Sequence, residues 1–215
     1  MTKPFRRYRP YRKGEFYVVA ADTAAGGGDR CAAQFLSKTY IDVPLVYHSE
    51  ETATTMTPLL HAELEKIFDA TGVKPAVAYE RANGGAFEMD RLAALNRLGK
   101  YTIFTMPTYG KTENPDSTKL GWDTNTATRP KMLQDLKEAI DNQVITLYDK
   151  PTINEMFSFV VVQTSSSWKA QAEKNSHDDL VMSLAIVWQM YQICQVPIQQ
   201  QVGGDYPENN LQGWY

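Results

Sequence analysis

Apolar runs of strand length and stretches with apolar residues at helical spacing take turns along the chain. The first run, residues 15–24 (Glu-Phe-Tyr-Val-Val-Ala-Ala-Asp-Thr-Ala), is aromatic, β-branched and apolar, and it delivers Asp22 to its end just before the cluster Gly26-Gly27-Gly28-Asp29. Residues 30–38 and 43–48 read as two further strands, joined to the first in an antiparallel meander by turns at 26–29 and 40–42. Threonines at 52–57 offer helix caps. Met56, Leu60, Leu64, Ile67 and Phe68 then recur at helical spacing until Gly72. Residues 75–80 form a short apolar strand that again ends on a carboxylate, Glu80. Residues 86–98 repeat the helical pattern and 101–105 give another strand.

The segment 107–125 is rich in Gly, Pro, Asn, Ser and Thr and reads as a long loop or hairpin, a length more often functional or disordered than idle. A helix over 128–140 carries Pro130 in its first turn, where proline is tolerated. A small strand at 144–147 and a hairpin of 157–163 with 168–172 follow. Residues 178–192 are apolar on most faces, as in a buried helix. Residues 195–215 lack periodicity and read as a flexible tail. Three meander strands followed by alternating helices and strands predict an α/β layer fold, with a mixed sheet whose later strands are parallel and helix-connected.

Composition narrows the function classes. With 215 residues and 43% hydrophobic content, the chain suits one domain with extensions. No apolar run reaches the roughly 18 to 20 residues that span a bilayer, and the basic N-terminus has no apolar stretch behind it, so neither membrane insertion nor secretion is supported. Cys31 and Cys194 have no metal-binding spacing, and a reducing cytosolic setting fits them. The net charge of -3 hides an asymmetry, because residues 1–13 hold Lys3, Arg6, Arg7, Arg9, Arg12 and Lys13 and no acid. Such an arm, interleaved with Tyr8 and Tyr11, suits a phosphate backbone, a disordered tail or an interdomain linker.

The chemistry lies in the acids. Asp22 and Glu80 close predicted strands and Asp178-Asp179 open the last helix, and ligand sites in open α/β sheets gather at the carboxyl ends of strands. A buried carboxylate is costly unless paired, and carboxylates meeting at one edge repel unless cations hold them. Two divalent ions about 3.5 to 4 Å apart would satisfy them and support phosphodiester cleavage, with oxygen ligands favouring Mg2+ or Mn2+ over zinc. Each acid also has a plainer explanation. Asp22 suits a turn, and Asp178 or Asp179 suits a helix cap, although a cap needs only one of them. His177 reads better as a partner of a ligand, or a core neighbour, than as a ligand itself.

Taken in order, Asp22-Thr23-Ala24 with the following glycines and Asp29, Glu80 with Asn83-Gly84-Gly85, Gly121-Trp122 with Thr124, Thr128-Arg129-Pro130, and His177-Asp178-Asp179 resemble the nuclease domain of tailed-phage large terminases, over about residues 14–194. The resemblance implies a ribonuclease H-like fold with helices on both faces of the sheet. It carries an acidic triad onto Asp22, Glu80 and one or both of Asp178 and Asp179. Asp179 is favoured because Asp179-Leu180-Val181-Met182 looks like the family's helix start. It further implies a Mg2+- or Mn2+-dependent endonuclease that uses two ions to cut concatemeric double-stranded viral DNA during packaging, in the cytoplasm of an infected bacterium. Small terminase and portal are the implied partners. Large terminases also carry an N-terminal packaging ATPase. No G-x-x-x-x-G-K-[ST] loop occurs here, so the sequence reads as the nuclease domain alone, with 1–13 resembling the connector to the motor.

On an acidic domain, Lys111, Lys119, Arg129 and Lys131 are candidates for phosphate contacts, with ordinary surface solvation as the alternative. The resemblance makes 107–125 a mobile hairpin beside the active site. Three rival readings stay open at this stage: another ribonuclease H-like hydrolase such as a junction resolvase or RNA/DNA hybrid nuclease, an actin-like or sugar-kinase-like ATPase, and a non-catalytic DNA-binding module.

Overall fold

A computed structural model describes residues 4–24, 30–106, 119–157, 159–163, 168–172 and 177–196. In chain order the elements are β1 (Phe5–Arg7), β2 (Tyr17–Asp22), β3 (Cys31–Ser37), β4 (Asp42–Ser49), α1 (Ala53–Thr71), β5 (Ala76–Tyr79), α2 (Gly85–Leu95), β6 (Thr102–Ile103), α3 (Thr128–Asp141), β7 (Thr146–Leu147), α4 (Lys150–Phe157), β8 (Phe159–Gln163), β9 (Trp168–Ala172) and α5 (Asp179–Ile193). Seven strands form one mixed sheet in the order β1-β4-β3-β2-β5-β6, with β7 also against β4; β8 and β9 pair separately as a hairpin.

The meander is antiparallel, β2 with β3 and β3 with β4, whereas β5 runs parallel to β2, β6 to β5 and β7 to β4. The apolar runs lack alternation because both faces of the sheet are covered. Along β2, Tyr17, Val19 and Ala21 pack with Met56, Leu60, Leu64, Met89 and Leu92 of α1 and α2. Val18 and Ala20 face the other way, among Met132, Leu136, Leu184 and Ile186 of α3 and α5. Asp22 continues this second set. Every residue of α5 from Asp179 to Met190 is buried between the sheet and the helices α3 and α4, which explains a helix that is apolar all round. Among the described residues no helix is long and apolar enough to cross a membrane.

Two parts of the sequence reading change. Over its described part the basic arm is ordered against the sheet and not a loose tail, because β1 adds antiparallel to β4 and the arginines around it meet buried acids. Arg6 forks onto Asp149 at 2.6 and 2.9 Å, Arg7 pairs with Glu63, and Arg9 forks onto Asp42 at 2.6 Å on both contacts and reaches Glu15 at 2.8 Å. These three cations are already paired with acids of the domain. The second change is α4, an element the periodicity did not announce. Asp149 caps it by accepting from Thr152 N–H at 3.0 Å and from the Thr152 hydroxyl at 2.7 Å, and Pro151 occupies its first turn. The turn at 26–29, most of the 107–125 segment, the tip of the 157–172 hairpin and residues 197–215 lie outside the described residues.

Candidate active site

Asp22 and Glu80 meet because their strands are parallel neighbours. The register sets Ala21 beside Tyr79, and the Glu80 N–H donates to the Ala21 carbonyl at 2.8 Å, so the two carboxylates emerge together at the carboxyl ends of β2 and β5. The chain then turns back at once. A Cβ on Gly85 would fall 1.7 Å from the Glu80 carbonyl oxygen, so only glycine lets α2 begin against the residue that presents the acid. On the other side Trp122 continues the sheet beside Glu80, its N–H donating to the Tyr79 carbonyl at 2.8 Å.

The remaining acids arrive on α5. Asp178 holds the cap position without bonding to the helix through its side chain, and its Oδ2 accepts from Arg129 Nη2 of α3 at 2.8 Å. Asp179 opens the helix. Its Oδ2 accepts the Arg30 main-chain N–H at 3.3 Å and lies 3.9 Å from His177 Nδ1, too far for a hydrogen bond. Asp22, Glu80, His177, Asp178, Asp179 and Arg129 all line one cavity of about 230 Å³, together with Thr23, Asn83 and Met182. The predicted acids, from three distant parts of the chain, therefore share one opening.

The electrostatics follow from that crowding. Burial, then the charge of Glu80 and a hydrogen bond with it, then the charges of Asp179 and Asp178 hold the Asp22 carboxyl well above the ordinary carboxylate range. Among the described residues no three His, Cys, Asp or Glu side chains already stand as a metal cage. Asp22 turns to Glu80 and Asp178 to Arg129 instead. The donor set nevertheless fits a hard divalent ion: the acids supply only oxygen, and their crowding raises the Asp22 carboxyl, a repulsion that a cation would relieve.

Of the predicted phosphate contacts, Arg129 reaches the cavity. Lys119 is exposed outside its lining, Lys131 pairs with Asp135 at 2.5 Å one helical turn away on α3, and Lys111 lies outside the described residues. One acid near the site escaped the sequence reading. Glu155 of α4 accepts the Val181 N–H of α5 at 2.8 Å, and burial, despite that bond and together with the charges of Asp179 and Asp178, raises its carboxyl to about 7. Its signal was the Asp149 cap and Pro151 that start α4. Thr23, whose hydroxyl donates to the Ala82 carbonyl at 3.2 Å, ties the end of β2 to the loop after Glu80.

No protein-family model matches the chain, and comparison with curated proteins finds no match. Solved structures do match. The large terminase nuclease from thermophilic phage G20c with bound magnesium superposes with a TM-score of 0.63 at 17% identity, covering 88% of each chain. The large terminase nuclease domain of Thermus phage P74-26 gives 0.63 at 16% identity, covering 88% of this chain and 87% of that one. The manganese-soaked terminase nuclease domain of human cytomegalovirus gives 0.52 at 11% identity, covering 85% and 90%. This chain has the ribonuclease H-like α/β fold of the large-terminase nuclease domains.

Proposed function

We propose that the chain is a Mg2+- or Mn2+-dependent endonuclease that hydrolyses phosphodiester bonds of double-stranded DNA, cutting concatemeric viral genomes during packaging. The observation that carries this reading is the cavity at the carboxyl ends of two parallel strands, where Asp22, Glu80 and Asp179 converge from β2, β5 and α5. The fold neighbours support it, one crystallised with magnesium and another soaked in manganese.

In this reading Asp22, Glu80 and Asp179 hold the ions, two being the number that three to four carboxylates suit, with Asp178 and His177 adjusting their surroundings. What divalent ions supply when bound at such a site is neutralisation of the phosphate and activation of a water as nucleophile. The chain's own residues do the rest. Asp22 and Glu80 present their carboxylates side by side, and Asp179 is kept in place by the Arg30 N–H. Arg129, on the cavity wall, offers a guanidinium to a phosphate while it restrains Asp178. Lys111, Lys119 and Lys131 are proposed as outlying phosphate contacts, which gives weak, salt-sensitive and largely sequence-independent binding. A packaging ATPase, a small terminase and a portal are the partners this role calls for, in the cytoplasm of an infected bacterium.

Relaxation of supercoiled plasmid tests the proposal. Wild-type protein is expected to nick or linearise it with Mn2+ or Mg2+ and not in EDTA, and Asp22→Asn to lose at least about 100-fold in rate, as when a group central to transition-state charge is removed. Undiminished cleavage by Asp22→Asn would sink the assignment. Competition by hybrid or junction substrates separates duplex cleavage from the other hydrolases of this fold.

A further inference from the structure

Helix α5 brings two adjacent aspartates to the cavity, and the one at its cap position, Asp178, makes no side-chain cap bond. An aspartate at the cap position ordinarily accepts the N–H two or three residues into the helix, which here means Leu180 or Val181. Asp178 makes no such bond and gives its carboxylate to Arg129. The Val181 N–H is taken instead by Glu155 Oε1, from a different helix, at 2.8 Å. Glu155 does not line the cavity, so it sits behind the site and not in it.

The helix that carries Glu155 is itself tied to α5. Asp149 at its start holds the Thr152 N–H and hydroxyl and is held in turn by Arg6. The Thr152 hydroxyl also accepts from Gln34 Nε2 at 3.1 Å, and the same nitrogen donates to the Leu180 carbonyl at 3.3 Å. The two residues that follow Asp179 are therefore gripped in turn, Leu180 through its carbonyl and Val181 through its N–H. Gln34 and Thr152 are fully buried, which fixes the spacing of the two helices.

We infer that Glu155 is a positioning residue for the active site: by capping α5 from α4 it leaves the Asp178 carboxylate to Arg129 and the cavity and holds the first turn of the helix that presents Asp179. The functional part of this inference rests on the proposed metal-dependent reading. A side chain that orients a ligand is typically worth 10- to 100-fold in metal affinity or activity. Glutamine can cap as glutamate does, through its carbonyl oxygen; alanine cannot.

The experiment compares wild type, Glu155→Gln, Glu155→Ala and Asp22→Asn by Mn2+ titration, followed by electron paramagnetic resonance, together with plasmid cleavage and amide hydrogen exchange at Val181. Glu155→Ala is expected to weaken Mn2+ binding by about 10-fold or more, to slow cleavage in parallel, and to speed Val181 exchange. Glu155→Gln is expected to restore all three to within about 3-fold of wild type. Wild-type behaviour of Glu155→Ala, or equal damage by Gln and Ala, overturns the inference. The metal reading fails separately, if wild type binds no Mn2+ or Asp22→Asn binds it as well as wild type. Val181 exchange still decides the cap in that case, and exchange unchanged by Glu155→Ala overturns it.

Discussion

The Glu80 N–H donates to the Ala21 carbonyl at 2.8 Å, and that one bond sets Asp22 and Glu80 side by side at the ends of adjacent parallel strands. Both residues are more than nine-tenths buried, so their repulsion is little screened by solvent. A site built in this way gives up stability for a place to hold cations.

It follows that Asp22→Asn stabilises the metal-free protein while it abolishes cleavage. Asparagine removes one of the crowded buried charges and can donate an amide N–H to Glu80. In EDTA the midpoint of thermal unfolding is expected to rise by about 2–4 °C, which for a chain of this size corresponds to about 1 kcal/mol. Calorimetry reads this directly, and a fall in the midpoint would show that Asp22 serves the fold itself.

Acid is expected to unfold the protein in two steps, neither of which involves the cavity acids. Burial, with Arg6 and Arg30 nearby, lowers His48 to about 4, and its Nε2 has no hydrogen-bond partner among the described residues. The unfolded chain protonates this histidine near 6.5, so stability falls as pH drops from about 6.5 to 4. Burial opposes ionisation of Asp149, yet bonds from Arg6, Tyr8 and Thr152 outweigh it and bring the carboxyl down to about 2. Its contribution is complete above about 4 and is lost as pH falls toward 2. Urea unfolding at stepped pH is expected to show both slopes, with His48→Phe flattening the upper one and Asp149→Asn the lower. Asp149→Ala at pH 7, which leaves Arg6 without its partner, is expected to cost about 3–5 kcal/mol.

Arg129 and Lys131 lie two residues apart on α3 and are expected to behave differently. Measured as duplex binding by fluorescence anisotropy in an Asp22→Asn background, Arg129→Ala is expected to weaken affinity about 10-fold, because it removes a cavity-wall guanidinium and leaves Asp178 as an unpaired charge facing phosphate. Lys131→Ala is expected to change affinity less than 3-fold and stability by less than about 0.5 kcal/mol, since its side chain is 68% exposed and its pairing with Asp135 is local. Equal effects of the two substitutions would place the DNA path over the surface and not at the cavity.

Much of this architecture was legible in the sequence because it rests on local signals. Continuous apolar runs marked β2, β3, β4 and β5, an all-round apolar stretch marked α5, and Gly72 closed α1 with a φ of 74° where expected. The acids could be read because each ended or began such an element. What escaped depends on partners distant in sequence. The arm's arginines read as a charge for a phosphate backbone or as part of a tail or linker until Asp42, Glu63 and Asp149 came beside them. The eight-residue α4 buries only Thr152 of its own side chains, so it left no apolar stripe to detect, and with it went Glu155. Arg129 was legible as a cation near the site, but its bond to Asp178 was not. The glycines after Glu80 entered only as part of the family resemblance, and the Glu80 carbonyl pressed against Gly85 gives their physical reason.

The most direct test of the account is anomalous diffraction from a crystal soaked in Mn2+. One or two peaks within direct coordination distance of carboxylate oxygens from Asp22, Glu80 and Asp179, with the Asp22–Glu80 contact opened by the ion, are the expected result. An empty cavity at saturating Mn2+, or ions held elsewhere with Asp22 still bonded to Glu80, would contradict it.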